Sequence, residues 1–316
     1  MLTIGSRTMH DWESWLARSK INFDEWAFGT DEPKKVDAAK DVFETIIRPT
    51  VTRGGRTQAI NPGIWEDCHH VDRHSMYPAV MCSPYIPHGT LLEDKPGFRH
   101  TSIVFPIGWY ELKEGCFPAL SFQRKTECEQ YRWKEDFDIG DYPSNFYLDG
   151  SFGFWEDEYN MIQELYDVTG EDILNRWYIG MMENTHLRDY MQMLYKGKQN
   201  NSGSVKLSFK LRLNALYGKF TSRPDGTKVS YVGGRHQVPE TGRTTYYLPL
   251  GSWITSQARI CLNKVICSIP PEDALYCDTD SLIWKGDSFP DVKIGKGLGE
   301  WGIENDHFKC NIVGPK

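Results

Sequence analysis

The residues with the clearest capacity for chemistry are two aspartates, Asp278 and Asp280, on either side of Thr279 in the stretch YCDTDSL. Apolar residues precede and follow them, which predicts a strand, a tight turn and a second strand with both carboxylates at the tip. Two like charges a few ångströms apart repel by about 1 kcal/mol even in bulk water, so a cation between them would be stabilising. Hard oxygen ligands favour magnesium over zinc. The alternative is an acidic hairpin tip that is simply hydrated.

A predicted helix from Val205 to Phe220 carries the second candidate group. One face holds side chains at spacings of four, four and three residues, namely Lys206, Lys210, Asn214 and Tyr217. The apolar residues Phe209, Leu213 and Leu216 define another face. Aligned cations opposite a carboxylate pair suit a polyphosphate bridged to a metal ion. The alternative is a helix whose lysines are only solvated.

Two shorter stretches are also candidates for binding. In VTRGGRTQAINPG, glycines 54 and 55 beside Arg53 and Arg56 would let backbone and guanidinium groups approach a phosphate, although a plain turn explains them as well. Further on, an extended chain would place Cys68, His70 and Asp72 on one face, with His74 joining them if the strand continued.

That second stretch raises the question of zinc. No second Cys/His pair stands at ligand spacing, and a helix beginning near residues 75–78 would carry His74 away from the other three side chains. A zinc hydrolase is therefore kept only as a third possibility, and it predicts stoichiometric zinc in the purified chain.

Composition limits the class of protein. The chain has 316 residues, is 40% hydrophobic and has a formal charge of -7, so it can bury a core, and a polyanion would need a local basic patch. Such a patch runs from Lys196 to Lys228, where eight cations accompany the single acid Asp225. Eight cysteines without a CxxC pair are typical of reduced thiols in a cytosol. No apolar run approaches the roughly 18 residues that a membrane span needs, and the first residues lack the apolar core of a leader segment. These features predict a soluble, intracellular protein with no membrane partner.

Hydrophobic periodicity gives a coarse map of the remaining chain. It predicts helices within residues 1–50, strands at 102–112 and 119–123, a helix at 156–166, a hairpin within 227–251, and a helix over 252–266.

Three motifs together resemble family B DNA polymerases, in particular the protein-primed bacteriophage branch. DRHSMYP (Asp72 to Pro78) is similar to the first palm motif, D-x-x-S-L-Y-P. KLRLNALYG (Lys210 to Gly218) is similar to the fingers motif, K-x-x-x-N-S-x-Y-G, and YCDTDS matches the second palm motif. Their order and spacing also agree with the family, from about Thr52 to the end of the chain.

The resemblance implies a DNA-directed DNA polymerase that adds deoxynucleoside monophosphates to a 3'-hydroxyl. It implies catalytic roles for Asp72, Asp278 and Asp280, with Asp72, Asp280 and the backbone carbonyl of Arg73 holding two Mg²⁺ ions, for which Mn²⁺ is a second candidate. The implied nucleotide-binding residues are Tyr77, which would exclude a 2'-hydroxyl, Lys198, Lys206, Lys210, Asn214 and Tyr217. The implied DNA-binding residues are Arg53, Gly54, Gly55, Ser75, Gly218 and Lys219. The tyrosines could instead be core aromatics, and Lys198 and Lys206 could be merely solvated.

The implied fold is α+β, a right-hand palm of antiparallel sheet backed by helices, with helical fingers and inserted subregions. The expected divisions are a helical segment 1–50, a first palm part 51–124, a first terminal-protein region 125–195, a fingers helix 196–226, a hairpin insertion 227–250, and a second palm part 251–316.

Some family features are changed or missing. Ala215 replaces a serine, and Thr52 stands where the linker before the two glycines usually has a tyrosine. We expect no exonuclease domain and no thumb in this chain. The implied partners are primer-template DNA, deoxynucleoside triphosphates, a terminal priming protein, and a separate exonuclease or thumb-bearing chain. The alternative function is a catalytically silent fragment or split-polymerase subunit that binds DNA or a terminal protein.

Overall fold

The computed structural model describes residues 4–122, 142–222 and 245–314, together with the backbone of 230–232 and 235–237. The described helices are α1 (Ile4–Arg18), α2 (Phe23–Phe28), α3 (Pro33–Thr50), α4 (Met76–Met81), α5 (Glu156–Leu165), α6 (His186–Gln199), α7 (Gly203–Phe220) and α8 (Leu248–Ile266). The described strands are β1 (Thr57–Ala59), β2 (Gly63–Arg73), β3 (Tyr85–Leu92), β4 (His100–Leu112), β5 (Asn145–Asp149), β6 (Phe154–Trp155), β7 (Tyr166–Glu183), β8 (Ser230–Val232), β9 (Arg235–Gln237), β10 (Ala274–Asp278), β11 (Ser281–Lys285) and β12 (Trp301–Ile312).

The helical prediction for the first 50 residues is confirmed by α1, α2 and α3. The side chain of Asn22 caps α2 by accepting a hydrogen bond from the backbone N–H of Glu25 at 2.7 Å, and Gly29 ends that helix in the left-handed region. Pro33 opens α3, where its missing N–H costs nothing. Trp12 and Phe43 are fully buried, so these helices are packed into the main hydrophobic core rather than standing apart.

A five-stranded antiparallel sheet carries the acidic motifs. Its strand order is β1, β10, β11, β2, β12. The predicted hairpin around Thr279 is confirmed as β10 and β11, and the predicted extended segment at 68–72 is part of β2. The outermost strand, β12, was not predicted, because its sequence alternates weakly and contains several charged residues.

Helices α4 and α8 cover one face of this sheet. Leu262 and Ile266 of α8, Met76 of α4, and Val71 and Leu282 of the sheet belong to one buried cluster. The predicted helix over 252–266 is therefore confirmed, and it begins four residues earlier, with Pro249 in its first turn. Nearly every residue of α8 is buried, which places this helix between the sheet and the rest of the molecule.

A second antiparallel sheet has the order β3, β7, β4, β5, with β6 paired to β4. The strand predicted at 102–112 and the helix predicted at 156–166 are confirmed as β4 and α5. Residues 119–122 are not in a strand, so that prediction is wrong for the described part, while Gln123 lies outside it. The 18-residue strand β7 was not predicted, because polar residues and Gly170 interrupt its alternation and its order depends on pairing with β3 and β4.

The predicted fingers segment contains two helices, α6 and α7, instead of one. The expected division at residue 196 falls inside α6, which runs from His186 to Gln199. The backbone of β8 and β9 forms a hairpin within the predicted insertion 227–250. Residues 227–229 and 125–141, which the predictions also covered, lie outside the described residues. None of the described helices has the length and apolar character needed to cross a membrane.

Candidate active site

Three aspartates meet at one end of the antiparallel sheet. Asp72 is the penultimate residue of β2 and lies opposite Ser281 of β11, and Asp278 of β10 lies opposite the same serine from the other side. The backbone N–H of Arg73 donates to the carbonyl of Asp280 at 2.7 Å. Since neighbouring strands in a sheet lie about 4.8 Å apart, the ladder brings the first motif beside the two later acids. Asp72 lies about two hundred residues before the other two acids in the sequence, and strand pairing brings all three together in space.

A tight turn presents Asp278 and Asp280. Thr279 adopts the left-handed conformation with φ 54°, and its N–H donates to the carbonyl of Arg56 at 2.6 Å. One carboxylate oxygen of Asp278 accepts hydrogen bonds from the hydroxyls of Thr57 at 2.9 Å and Thr279 at 3.2 Å. These contacts fix the orientation of the hairpin tip, because Asp278 and Thr279 are tied to Thr57 and Arg56 at the start of β1.

Gly55 explains how that segment can lie so close to the tip. A Cβ atom at Gly55 would lie 2.7 Å from Oγ1 of Thr279 and 3.0 Å from the hydroxyl of Tyr77. A side chain is excluded there, so the glycine is required for close approach rather than for a left-handed backbone. The predicted importance of the Gly54-Gly55 pair thus has a physical basis at Gly55, whereas Gly54 is exposed.

The electrostatic surroundings of Asp72 favour a cation. Partial burial raises the pKa of Asp72, and the nearby carboxylate of Glu304 raises it further. His70, His74 and Lys210 act in the opposite direction. A half-buried carboxylate beside another acid is destabilised when ionised, so positive charge at this end of the sheet would be stabilising.

The donor set fits hard divalent cations. The carboxylates of Asp72, Asp278 and Asp280 supply only oxygen ligands at the sheet end. The three do not bring their oxygens within 4.8 Å of one another, which is the compactness that a single shared ion would need.

Three lysines line the side of the site that faces the fingers helices. Lys198 of α6 donates from Nζ to Oγ of Ser75 at 3.1 Å. Burial lowers the pKa of Lys198, and the neighbouring charges of Lys210 and Lys206 lower it further, which shows that the three cations lie near one another. No carboxylate in the described part of the chain forms an ion pair with them. Cations clustered in this way favour the binding of a multiply charged anion.

The predicted faces of α7 are confirmed except at Phe209 and Tyr217, which are both half-buried. Lys206, Lys210 and Asn214 are exposed, whereas Leu213 and Leu216 are fully buried. Helix α7 is therefore anchored through its apolar face, with its polar row directed away from the core.

Beside these lysines is an open cleft with a volume of about 700 Å³. The sequence analysis did not predict the side of the cleft that contains Lys296 and Glu304. His74, Lys296 and Glu304 line it together with Lys198 and Lys206. The Tyr195 hydroxyl, also in the wall, donates to the carbonyl of Lys296 at 2.9 Å, which holds the 293–300 loop against α6. The signal that could have identified this loop is its alternation of lysine and glycine, KIGKGLG, because backbone without side chains can approach a phosphate closely.

Tyr77 and Tyr217 form an aromatic pair at the mouth of the site. Their ring centroids are 4.0 Å apart, and both side chains are half-buried. Burial raises the pKa of Tyr77 well above its usual value, with a further contribution from Tyr217, so the hydroxyl is protonated at neutral pH. The rings come from α4 and α7, so the pair connects the sheet end to the fingers helix.

The structure corrects the prediction for Arg53. Its side chain is buried, its guanidinium donates to the carbonyl of Gly153 at 2.8 Å, and it lies 4.2 Å from the ring centroid of Phe152. A guanidinium held in the interior in this way is not placed to contact a DNA phosphate. Arg53 instead anchors the linker that contains Gly54 and Gly55.

The other predicted DNA-binding residues occupy different surroundings. Ser75 is the N-cap residue of α4 and accepts the hydrogen bond from Lys198. Gly218 is exposed, and a Cβ there would meet open space. The aliphatic part of Lys219 lies 3.3 Å from the position of a Cβ on Gly5, so this side chain faces α1 and not the row that contains Lys210.

The zinc alternative receives no support. Cys68 is buried with its Sγ 3.0 Å from Sγ of Cys310. Although Cys68, His70, Asp72 and His74 all belong to the described residues, their ligand atoms do not gather into a metal-binding group. As expected, the chain turns into α4 just after His74.

Comparison with known proteins decides the family. The family described as DNA polymerase type B, organellar and viral, matches residues 1–291. This chain belongs to that family. The DNA polymerases of Bacillus phages PZA and phi29 are each 30% identical over 281 residues, which cover 78% of this chain and 44% of the relative. The DNA polymerase of Streptococcus phage Cp-1 is 24% identical, covering 99% of this chain and 56% of the relative. The chain thus spans about half the length of these relatives.

Solved structures confirm the fold. Phi29 DNA polymerase complexed with primer-template DNA and incoming nucleotide substrates has a TM-score of 0.77 at 23% identity, over 100% of this chain and 55% of that chain. The binary complex with primer-template DNA gives a TM-score of 0.76 at 23% identity, covering 100% of this chain and 54% of that chain. The predicted α+β fold, an antiparallel palm sheet backed by helices with helical fingers, is therefore confirmed.

Proposed function

We propose that this chain is the palm and fingers part of a template-directed DNA polymerase, which adds deoxynucleoside monophosphates to a 3'-hydroxyl and releases pyrophosphate. The observation that carries the proposal is the meeting of Asp72, Asp278 and Asp280 at one sheet end, with Lys198, Lys206 and Lys210 close by. In a phosphoryl-transfer site, carboxylates bind the metal ions, and cationic side chains opposite them bind the phosphates.

Asp72, Asp280 and the carbonyl of Arg73 would hold two divalent cations, for which Mg²⁺ fits the oxygen donors and Mn²⁺ is an alternative. When bound, such ions supply activation of the attacking hydroxyl and stabilisation of charge on the leaving group. Asp278, with one oxygen engaged by Thr57 and Thr279, keeps the hairpin tip oriented and contributes negative charge to the site.

The lysines would bind the triphosphate of the incoming nucleotide. Lys198, Lys206 and Lys210 neutralise its charge, and the cleft between α6 and the 293–300 loop has room for it. Tyr77 and Tyr217 would lie against the sugar and the new base pair, with Asn214 on the same face of α7. Gly54, Gly55, Ser75 and Gly218 would allow the template strand to pass close to the backbone.

The division into palm, fingers and two insertions is proposed together with this function, with the fingers beginning at α6. Proposed partners are primer-template DNA, deoxynucleoside triphosphates and a terminal priming protein gripped by the insertions. A separate exonuclease or thumb-bearing chain is also proposed as a partner, from the resemblance to the family alone.

Primer extension by the purified chain at low ionic strength with Mg²⁺ tests the activity. We expect templated extension by the wild-type chain and none by Asp280→Asn, because the amide removes a charged ligand for the cations. Asp291→Asn, which alters an exposed acid away from the hairpin, is the matched control and should extend normally.

DNA binding by Asp280→Asn should be retained, and anisotropy of a labelled primer-template measures it. Extension by this variant at the wild-type rate would refute the assignment of Asp280. A wild-type chain that binds DNA without extending it would instead support the alternative function, a silent fragment or a split-polymerase subunit.

A further inference from the structure

Two histidines and two aspartates form a cluster on the β2–β12 strand pair, away from the candidate active site. Ligand atoms of Asp67, His69 and His307 all lie within 4.8 Å of one another. Nδ1 of His307 is 2.6 Å from a carboxylate oxygen of Asp67, and the two imidazole rings are 4.9 Å apart. Asp306 is hydrogen-bonded to Nδ1 of His69 and lies 3.9 Å from Nε2 of His307.

Backbone irregularities in both strands bring these side chains together. Asp67 and His307 have positive φ values of 55° and 50°, which are unusual for residues other than glycine. The β2–β12 register shifts between Asn305 and Phe308, as expected for a bulge. Bulges redirect side chains out of the regular alternation, and here they direct an acid and an imidazole towards the same point.

The cluster is separate from the polymerase carboxylates. Asp67 is five residues before Asp72 on β2, which corresponds to about 16 Å along an extended strand. His69 stacks on Trp284, with ring centroids 5.2 Å apart, on the sheet face covered by α8, whereas Asp72 projects from the opposite face because successive side chains alternate. Neither the proposed catalysis nor the proposed nucleotide site uses any of the four residues.

We propose that Asp67, His69, Asp306 and His307 bind one divalent transition-metal ion, of which Zn²⁺ is the best match. Two imidazoles and two carboxylates are borderline and hard donors that suit a tetrahedral zinc centre, and they are not the all-oxygen set that magnesium prefers. Bonds of about 2.0 to 2.1 Å place tetrahedral ligands roughly 3.3 Å apart, so the ligand atoms of Asp67, His69 and His307, which lie within 4.8 Å of one another, must close in by at most about 1.5 Å.

The side chains have the freedom to make that adjustment. Asp67, Asp306 and His307 have exposed fractions of 62%, 51% and 70%, whereas His69 is fixed against Trp284 with an exposed fraction of 13%. One rigid ligand and three mobile ones allow an ion to enter from solvent and draw the others around it. Since the ligands lie more than two hundred residues apart, the ion would cross-link β12 to β2, the strand that carries Asp72.

Zinc titration of the full 316-residue chain, stripped of metal with a chelator, tests the proposal. Calorimetry with ZnCl₂ in excess MgCl₂ should give one equivalent of bound Zn²⁺. The excess magnesium occupies sites that have only oxygen ligands, so zinc binds at the histidine-containing cluster. The double variant His69→Gln/His307→Gln should lose at least about tenfold in affinity. His100→Gln, which removes a histidine of the second sheet, should bind zinc like the wild type, and so should Asp280→Asn.

Two further measurements guard against a misfolded variant. Far-UV circular dichroism tests whether the double variant is folded. Asp67→Asn, which preserves both histidines and the contact with Trp284, should also weaken zinc binding. Zinc should raise the melting temperature of the wild type but not that of the double variant, because ligand that binds only the folded state stabilises it. Absence of binding to the wild type, or equal binding by wild type and folded double variant, would overturn the proposal whether or not the chain extends primers.

Discussion

At the scale of single residues, steric exclusion around the hairpin tip matters as much as charge. Gly55 leaves room for Thr279 and Tyr77, and Thr279 in turn donates to Asp278. The positions of the two hairpin acids therefore depend on the absence of a side chain at Gly55. Arg53 and Arg56 flank this glycine, and both are buried, so they hold the linker from the inside.

Gly55→Ala should impair catalysis with little loss of DNA binding. The new methyl group would displace Thr279 and shift Asp278, and a misplacement of about 1 Å at a reacting centre can cost on the order of a hundredfold in rate. Single-turnover incorporation measures the loss. Gly97→Ala, where a Cβ meets open space, is the control, and equal rates for the two variants would contradict the steric argument.

Tyr77→Val should relax the choice of sugar. The Tyr77 ring packs on Tyr217 beside the hairpin tip, so shortening the side chain opens space where a 2'-hydroxyl would lie. The ratio of kcat/KM for ribonucleotides to that for deoxynucleotides should rise on the order of tenfold or more. Tyr178→Val, a half-buried tyrosine of β7, should leave the ratio unchanged. An unchanged ratio in Tyr77→Val would remove this role.

At the scale of elements, α5 and α8 are joined by a buried ion pair that also positions the linker. Both nitrogens of the Arg259 fork bond to Glu158, at 2.6 Å and 2.8 Å. A third nitrogen of Arg259 donates to the carbonyls of Arg53 and Gly54. The pair is therefore a connection between the second sheet's helix and the segment that packs on the hairpin tip.

Glu158→Gln should destabilise the fold by about 3 to 5 kcal/mol, because it leaves the buried charge of Arg259 uncompensated. Urea unfolding measures the free energy, with Glu164→Gln, an exposed acid on the same helix, as the control. A loss no larger than that of the control would show that the pair is not important for stability.

The same carboxylate gives a pH dependence. Burial alone would raise the pKa of Glu158, but the charge and hydrogen bonds of Arg259 outweigh it and hold the pKa below its ordinary value of 4.5. A carboxyl group whose pKa is lowered by folding stabilises the fold at pH above its unfolded-state pKa. That stabilisation is lost as the pH falls through the folded-state pKa. Wild-type stability should therefore fall below about pH 4.5 more steeply than that of Glu158→Gln. Parallel curves for the two proteins would contradict the assignment.

At the scale of the whole molecule, an overall charge of -7 coexists with a concentrated basic segment, 196–228. The negative remainder repels polyanions, so DNA should approach the fingers side alone. The cleft lined by Lys198, Lys206 and Lys296 lies on that side.

DNA affinity should consequently depend strongly on salt. Eight cations in this segment can neutralise at most about eight phosphates, so a plot of log affinity against log salt should have a negative slope no steeper than about -7. Fluorescence anisotropy between low and moderate salt measures the slope. Lys196→Ala, at an exposed cation of this segment, should make it shallower by up to about one unit, whereas Lys34→Ala on α3 should not change it. A slope near zero would contradict binding through this segment.

The sequence by itself predicted the candidate chemical groups, namely the two acids of the hairpin, a third at Asp72 and the lysine row of α7, and it determined most of the local elements that carry them. The two hairpin acids and the lysine row follow from short-range spacing, because the period of a strand or helix is set by neighbouring residues, whereas the role of Asp72 is implied by the resemblance to the family B motifs. Only the tertiary structure decided that Arg53 is buried, that Lys296 and Glu304 border the cleft, and that Asp67 meets His307. Those facts depend on contacts between residues far apart in the chain: Arg53 meets Gly153 one hundred residues on, and β12 pairs with β2, more than two hundred residues away, which no local pattern encodes.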